Sequence, residues 1–368
     1  MTSPNIEKTT EVTLDGRVAH EVRDWVHTSR LLACRVDPTG RFVFAGSTDR
    51  TVQRWEIATG NNTTLVGHDN WVRTLGCSPD GATLYSGGYD GRLIFWDAAA
   101  AKPQPTRTIE AHKGWLRALA VSSDGQWIAT GGNDRMVKIW SSQDGHLVRE
   151  FTPTNIIDYE VYRTKQIAEG HFVREFAEHP QFIFSLAFHP SSHELVSGDL
   201  LGNIHHWNVE TGQLVRKLDA RELHFDIGDW SHNGGILGLF FSVDHKILSA
   251  TGLHKQTNAL ANGQEGVGLV FDWESGKKLR KQERLKNSEG STMWRGVYHS
   301  SGQFIGGLSN DIGFWMPGEE DLYYALKTKS PIFDMDLHPN QIDLFTAHFD
   351  GHLRTLRLQP KPTSPAAS

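Results

Sequence analysis

The chain reads as an all-β protein made of seven repeated units. Three observations predict this: tryptophans recur at a fixed spacing, glycine is abundant at turn positions, and no stretch carries a convincing helical period. Trp55, Trp96 and Trp140 stand 41 and 44 residues apart, and the residues between them match slot for slot. The 36 glycines among 368 residues exceed ordinary usage without collagen-like periodicity or the Pro-rich bias of disorder. Short apolar runs alternate with Gly and Asp turns, which gives three to four strands per unit. Length alone suggests two or three domains, but repeats are sought before domains are counted.

The units follow in order. The first holds His27, Asp37-Pro38-Thr39-Gly40, Ala45-Gly46, Asp49 and Trp55. The second is the clearest: Gly67-His68, Trp71-Val72, Ser78-Pro79-Asp80-Gly81, Ser86-Gly87-Gly88-Tyr89-Asp90-Gly91 and Trp96-Asp97. The third repeats it with His112, Trp115-Leu116, Ser122-Ser123-Asp124-Gly125, Thr130-Gly131-Gly132-Asn133-Asp134 and Trp140. The rest are degenerate. His179, His189-Pro190, Ser197-Gly198 and Trp207 mark a fourth; His232, Ser249 and Phe271-Asp272 a fifth; Ser301-Gly302 and Trp315 a sixth; His338-Pro339, Thr346, Asp350-Gly351 and Leu356 a seventh.

These motifs resemble the Trp-Asp (WD) repeat family of β-propellers, whose repeat of roughly 40 to 45 residues builds one four-stranded blade. The resemblance covers residues 9 to 358. It implies a single seven-bladed β-propeller of four-stranded antiparallel blades, flanked by tails at 1–8 and at the Pro-rich 359–368. The seventh unit ends near Leu358 without a fourth strand, and the segment Thr9 to Val22, rich in Val and Thr, is expected to fill that place as the family's N-terminal strand does.

Ser86, His68 and Asp90 are the ingredients of nucleophilic catalysis. Their return with Trp96 as Thr130, His112, Asp134 and Trp140 in the adjacent copy argues against it, since one chain rarely needs two catalytic triads in neighbouring units. In the family these four side chains form a buried network that locks the strands of a blade. Cys34 and Cys77 alternate with apolar neighbours and read as two buried thiols rather than a disulfide or a metal site. His224 and Asp226 could supply two metal ligands, but two do not make a site. No cofactor is expected: the chain has neither a phosphate-binding Gly-rich loop with Lys and Ser/Thr nor a dinucleotide fingerprint. The net charge of -6 gives no pull toward nucleic acid, and the basic run Lys277 to Lys286 reads as a solvated outer edge. The longest apolar stretch, Ile236 to Val243, is too short to span a bilayer, and no secretory leader is visible, so a cytoplasmic, monomeric protein is expected.

In propellers of this family the His loops and Asp turns open on one face, called the top, and the resemblance implies a protein or peptide partner there. There the residue before each innermost strand is Arg30, Trp71, Trp115 and Phe182, and Tyr89 precedes its turn Asp. Trp, Tyr and Arg are typical interface anchors because they bury large areas with little entropy loss. Two enlarged connections, Leu223 to Trp230 and Thr251 to Gly268, are expected on the same face, adding Trp230 to the rim. The rival is a small-ligand or catalytic propeller with its site at the channel mouth near Asp226, Asp229, His254 and Asn258. Adaptor propellers that join ubiquitin ligases often carry Trp-Asp-x-Arg; Trp96-Asp97 is followed here by Ala98-Ala99, which does not support that partner. A near-duplicate, His146 to Phe151 and His171 to Phe176, leaves open which copy is an outer strand.

Overall fold

The computed structural model describes residues 14–151, 182–226, 232–254, 265–283 and 292–361. Among these, seven four-stranded antiparallel sheets follow one another, with two 3-10 turns and no α-helix. The innermost strands are Leu31–Val36, Val72–Cys77, Leu116–Val121, Ile183–Phe188, Ile236–Phe241, Arg295–Tyr298 and Ile332–Leu337, one for each of blades 1 to 7. Each packs beside the next, and that of blade 7 packs beside that of blade 1, so the sheets close into a ring.

Alternation explains why the blades stack. On an innermost strand one set of side chains faces the preceding blade and the other the following blade, so both faces are apolar. Leu75 of blade 2 thus packs with Ala33, Phe42 and Phe44 of blade 1, while Ala118 of blade 3 packs with Ile183 and Leu186 of blade 4. The core is therefore a series of clusters at the seams between blades.

The fourth strand of blade 7 comes from the other end of the chain: His20–Val26 pairs with His352–Arg357. It lies C-terminal to the expected Thr9 to Val22. Packing sets the position, because Trp25 opposite Leu353 stacks on Trp55 and Phe345, with ring centroids 6.1 and 6.2 Å apart. Residues Leu14–Ala19 turn away to blade 6, where the Gly16 amide donates to the Tyr323 hydroxyl (2.8 Å) and Gln303 donates to the Leu14 carbonyl (2.8 Å). Gly16 lies against the Phe314 ring so closely that a Cβ there would collide with it.

Arginines join successive blades at the rim. Arg54 donates to the Ala98 carbonyl (2.8 Å), Arg107 to Gln143 (3.2 Å), Arg149 to Val209 (2.6 Å) and Arg216 to Glu274 (2.7 Å), in each case a turn of the following blade; Arg23 does the same for Ile57. A guanidinium suits this role because its planar fork reaches carbonyls that the blade's own ladder leaves free.

The duplicated segment is resolved: Leu147–Phe151, in the first copy, is the outer strand of blade 3, while the second lies outside the described residues. The basic run supplies the outer strand of blade 5, Lys278–Gln282, where Lys278 and Lys281 pair with Glu222; Arg284 and Lys286 lie outside the described residues. Of the two enlarged connections, the first forms a small sheet, His224–Asp226 with His232–Gly234, and the second lengthens the hairpin of Ile247–His254 with Glu265–Asp272. Cys34 and Cys77 are free, the former buried and the latter half-buried.

Candidate functional site

The repeat network is complete in blades 2 and 3. In blade 2 His68 Nδ1 lies 2.9 Å from Asp90 Oδ2, His68 Nε2 lies 2.8 Å from Ser86 Oγ, and Trp96 Nε1 donates to the same Oγ at 2.8 Å. Blade 3 reproduces it with His112 on Asp134 and on Thr130, and Trp140 donating to Thr130, each at 2.8 Å. Burial would raise the Asp90 carboxyl, but hydrogen bonds from His68 and the Asp69 and Arg92 amides hold it below its ordinary value; Asp134 is held low in the same way. Both hydroxyls are fully buried and already engaged by an indole N–H. A solute has no path to either oxygen, so the triad-like geometry lacks the accessible nucleophile that acyl transfer requires.

The other blades keep fragments. Blade 1 retains His27 on Asp49 (2.7 Å) with Ala45 in the hydroxyl position. Blade 4 retains Trp207 on Ser197 (2.9 Å); His179 lies outside the described residues. In blade 5 Ser249 bonds the Tyr298 hydroxyl (2.7 Å), and in blade 6 the Trp315 indole reaches the Glu283 and Glu320 carbonyls. Blade 7 draws its imidazole from within the strand: His348 Nε2 meets Thr346 Oγ1 at 2.8 Å and Nδ1 donates to the Ser330 carbonyl at 2.9 Å. Sequence comparison had no slot for His348, two residues beyond the hydroxyl; facing the same side as Thr346 was the available signal.

On the top face Trp71, Tyr89 and Trp115 form one stack, with centroids 5.8 and 4.3 Å apart and the second pair nearly parallel at 5°. Trp71 and Trp115 are 42% and 41% exposed, so each uses one ring face within the stack and turns the rest to solvent. Arg117, from the innermost strand of blade 3, lies 4.8 Å from the Trp115 ring, 5.3 Å from Tyr89, 5.6 Å from Phe182 and 4.6 Å from Phe184. It ties the stack to Phe182 and holds the rings in place through cation–π contact. Arg30 instead stacks on Phe349 at 3.9 Å, and Phe349 continues through Phe333 to Trp294. Trp230, Asp229 and Asn258 lie outside the described residues, as do the side chains of Asp226 and His254. Arg117, Phe184, Phe333 and Phe349 are rim residues that the repeat alignment did not mark. Arg117 occupies the same slot as Arg73, one place after the first apolar residue of the strand, and that alternation was the signal.

Among the described residues no group of three His, Cys, Asp or Glu is placed to hold a metal ion. No described helix is long and apolar enough to cross a membrane.

Seven antiparallel four-stranded blades in a ring define a β-propeller. The model of the WD domain, G-beta repeat, matches residues 21–56, 61–97, 103–141 and 170–208. The chain is a WD-repeat propeller. The first three matches each begin with the outer strand of one blade and end with the third strand of the next, so each of these repeats straddles a seam. Over 59 residues the chain is 42% identical to the nuclear distribution protein PAC1 of Arthroderma otae, covering 16% of this chain and 13% of that one. It is 35% identical over 82 residues to the small ribosomal subunit protein RACK1 of Caenorhabditis elegans, covering 22% and 24%. It is also 32% identical over 89 residues to a WD repeat-containing protein of Schizosaccharomyces pombe, covering 23% of each. The matched stretches span about a quarter or less of these relatives' length.

Proposed function

We propose that the protein is a non-enzymatic interaction platform that binds a protein or peptide partner on its top face. The observation that carries this reading is the Trp71, Tyr89 and Trp115 stack, whose two end rings are each about two-fifths exposed on a rigid scaffold. Aromatic side chains already immobilised by stacking lose little entropy when a partner covers them. Arg117 and Phe182 support the stack, and Arg30 with Phe349 offers a second anchor across the face. The closed networks of His68 and His112 act in this reading as structural locks. A relative that is by name a ribosomal subunit protein fits a fold used within assemblies. The two free thiols agree with a reducing compartment, the cytoplasm. Affinity capture from cell extract with wild type beside a Trp71→Ala, Trp115→Ala double variant tests the site. Loss of specific prey from a variant with unchanged melting temperature is the expected result, and identical prey from both proteins would refute it.

A further inference from the structure

A second feature lies inside the ring, independent of the top-face reading. Each innermost strand has a free edge toward the centre, and on blade 1 that edge is met by carboxylates of blade 7. The Cys34 amide donates to Asp334 Oδ2 at 3.0 Å and the Val36 amide to Asp336 Oδ2 at 2.9 Å. Two arginines meet Asp334, and a third, Arg73, lies within electrostatic reach of Arg295. Arg295 Nε lies 3.0 Å from Asp334, Arg35 Nη1 lies 3.7 Å from it and donates to the Cys34 carbonyl at 2.7 Å, and Arg73 donates to the Leu32 carbonyl at 3.1 Å. Three guanidinium groups against two carboxylates leave one positive charge in excess inside a protein whose net charge is -6.

Each guanidinium carries five N–H donors. Among the described residues Arg295 uses its Nε toward Asp334 and neither of its terminal nitrogens, and Arg35 uses one hydrogen bond. Burial, together with the push of Arg35 and Arg73 and against the pull of Asp334, brings the Arg295 guanidinium down to about 10. Beside these donors the lower half of the channel, toward the Pro38 turn, opens into a cavity of about 360 Å3. Arg35, Arg295 and Asp336 line it on one side, and Leu119, Leu239 and Met335 are among its apolar walls.

We propose that this part of the channel binds a small organic carboxylate, its head held by the terminal nitrogens of Arg35 and Arg295 and its short apolar body against the leucine walls. A planar carboxylate matches the guanidinium fork, a single negative charge matches the excess, and Leu119, Leu239 and Met335 offer a hydrocarbon body apolar contacts that a bare oxyanion cannot use. The Asp336 carboxylate is tied to the Val36 and Leu337 amides, and its pull on Arg35 and Arg295 is already counted among the two carboxylates.

Calorimetric titration of the full chain with hexanoate, hexanol, acetate and inorganic phosphate tests the assignment. Hexanoate is expected to bind, with hexanol and acetate at least tenfold weaker, and Arg35→Gln is expected to weaken hexanoate by about tenfold, the loss of one charge-assisted contact. Arg35→Gln leaves Asp334 paired with Arg295, and Arg295→Gln, the second variant, leaves it near Arg35. Absence of hexanoate binding to wild type, equal affinity for hexanol, or unchanged affinity in a folded variant would each overturn the proposal. Phosphate binding as tight as hexanoate would overturn the carboxylate assignment.

Discussion

Replacing Ser86 by Ala removes one oxygen and little volume, so its cost isolates the hydrogen-bond network of blade 2. That oxygen lies 2.8 Å from both Trp96 Nε1 and His68 Nε2, and Ser86 and Trp96 are fully buried. Without it a buried indole N–H and a buried imidazole nitrogen lose their partners, each costing about 1–3 kcal/mol because water does not reach them. The expected loss is about 2–6 kcal/mol, read as a lower urea midpoint with an unchanged slope. Thr130→Ala should behave alike, whereas Thr130→Ser keeps the oxygen and should cost less. Blade 1, which has Ala45 in this position, shows that a blade can be built without the hydroxyl, so the effect is on stability rather than on fold. A loss below about 0.5 kcal/mol for Ser86→Ala would refute the reasoning.

Two further outcomes concern closure and pH. Deleting residues 1–26 removes the His20–Val26 strand and Trp25, so its melting temperature should fall well below that of a 1–13 deletion, and the bared His352–Arg357 edge should promote association in gel filtration; equal melting temperatures would sink the closure. Burial holds His348 and His206 neutral down to about 4 in the folded chain, against an ordinary 6.5. The unfolded chain takes up these protons first, so stability should fall as pH drops from about 6.5 to about 4, by up to about 3 kcal/mol for each group. Asp199, which burial raises to about 6, acts oppositely, its destabilising effect fading as pH falls through that value. Denaturant midpoints across this range should slope less in His348→Gln, and an identical slope would exclude His348 as a contributor.

The blade network was legible in the sequence because its members are close along the chain. His68, Ser86, Asp90 and Trp96 fall within one unit and recur in the next, so spacing located the positions, and the family resemblance implied that they are partners, which the structure places 2.8 to 3.1 Å apart. The top-face tryptophans were legible for the same reason, since Trp71 and Trp115 occupy equivalent slots. Their stacking through Tyr89 joins side chains of two blades, which spacing does not relate, while Arg117 left only the trace of sharing its slot with Arg73.

Repetition in the amino-acid sequence therefore determined the number of units, and the family resemblance implied their strand order and the hydrogen-bonded networks of blades 2 and 3. The resemblance implied that an N-terminal strand shuts the ring, and tertiary structure decided which residues form it and in what register. The register of His20–Val26, the docking of Gly16 on Tyr323, and the Asp334 and Asp336 carboxylates that meet the amides of Cys34 and Val36 all join residues about 300 positions apart. Among the described residues these contacts join the two ends of the chain and do not recur from blade to blade. A repeat encodes what recurs, and a closure made once is fixed only by the packing of side chains that no spacing rule relates.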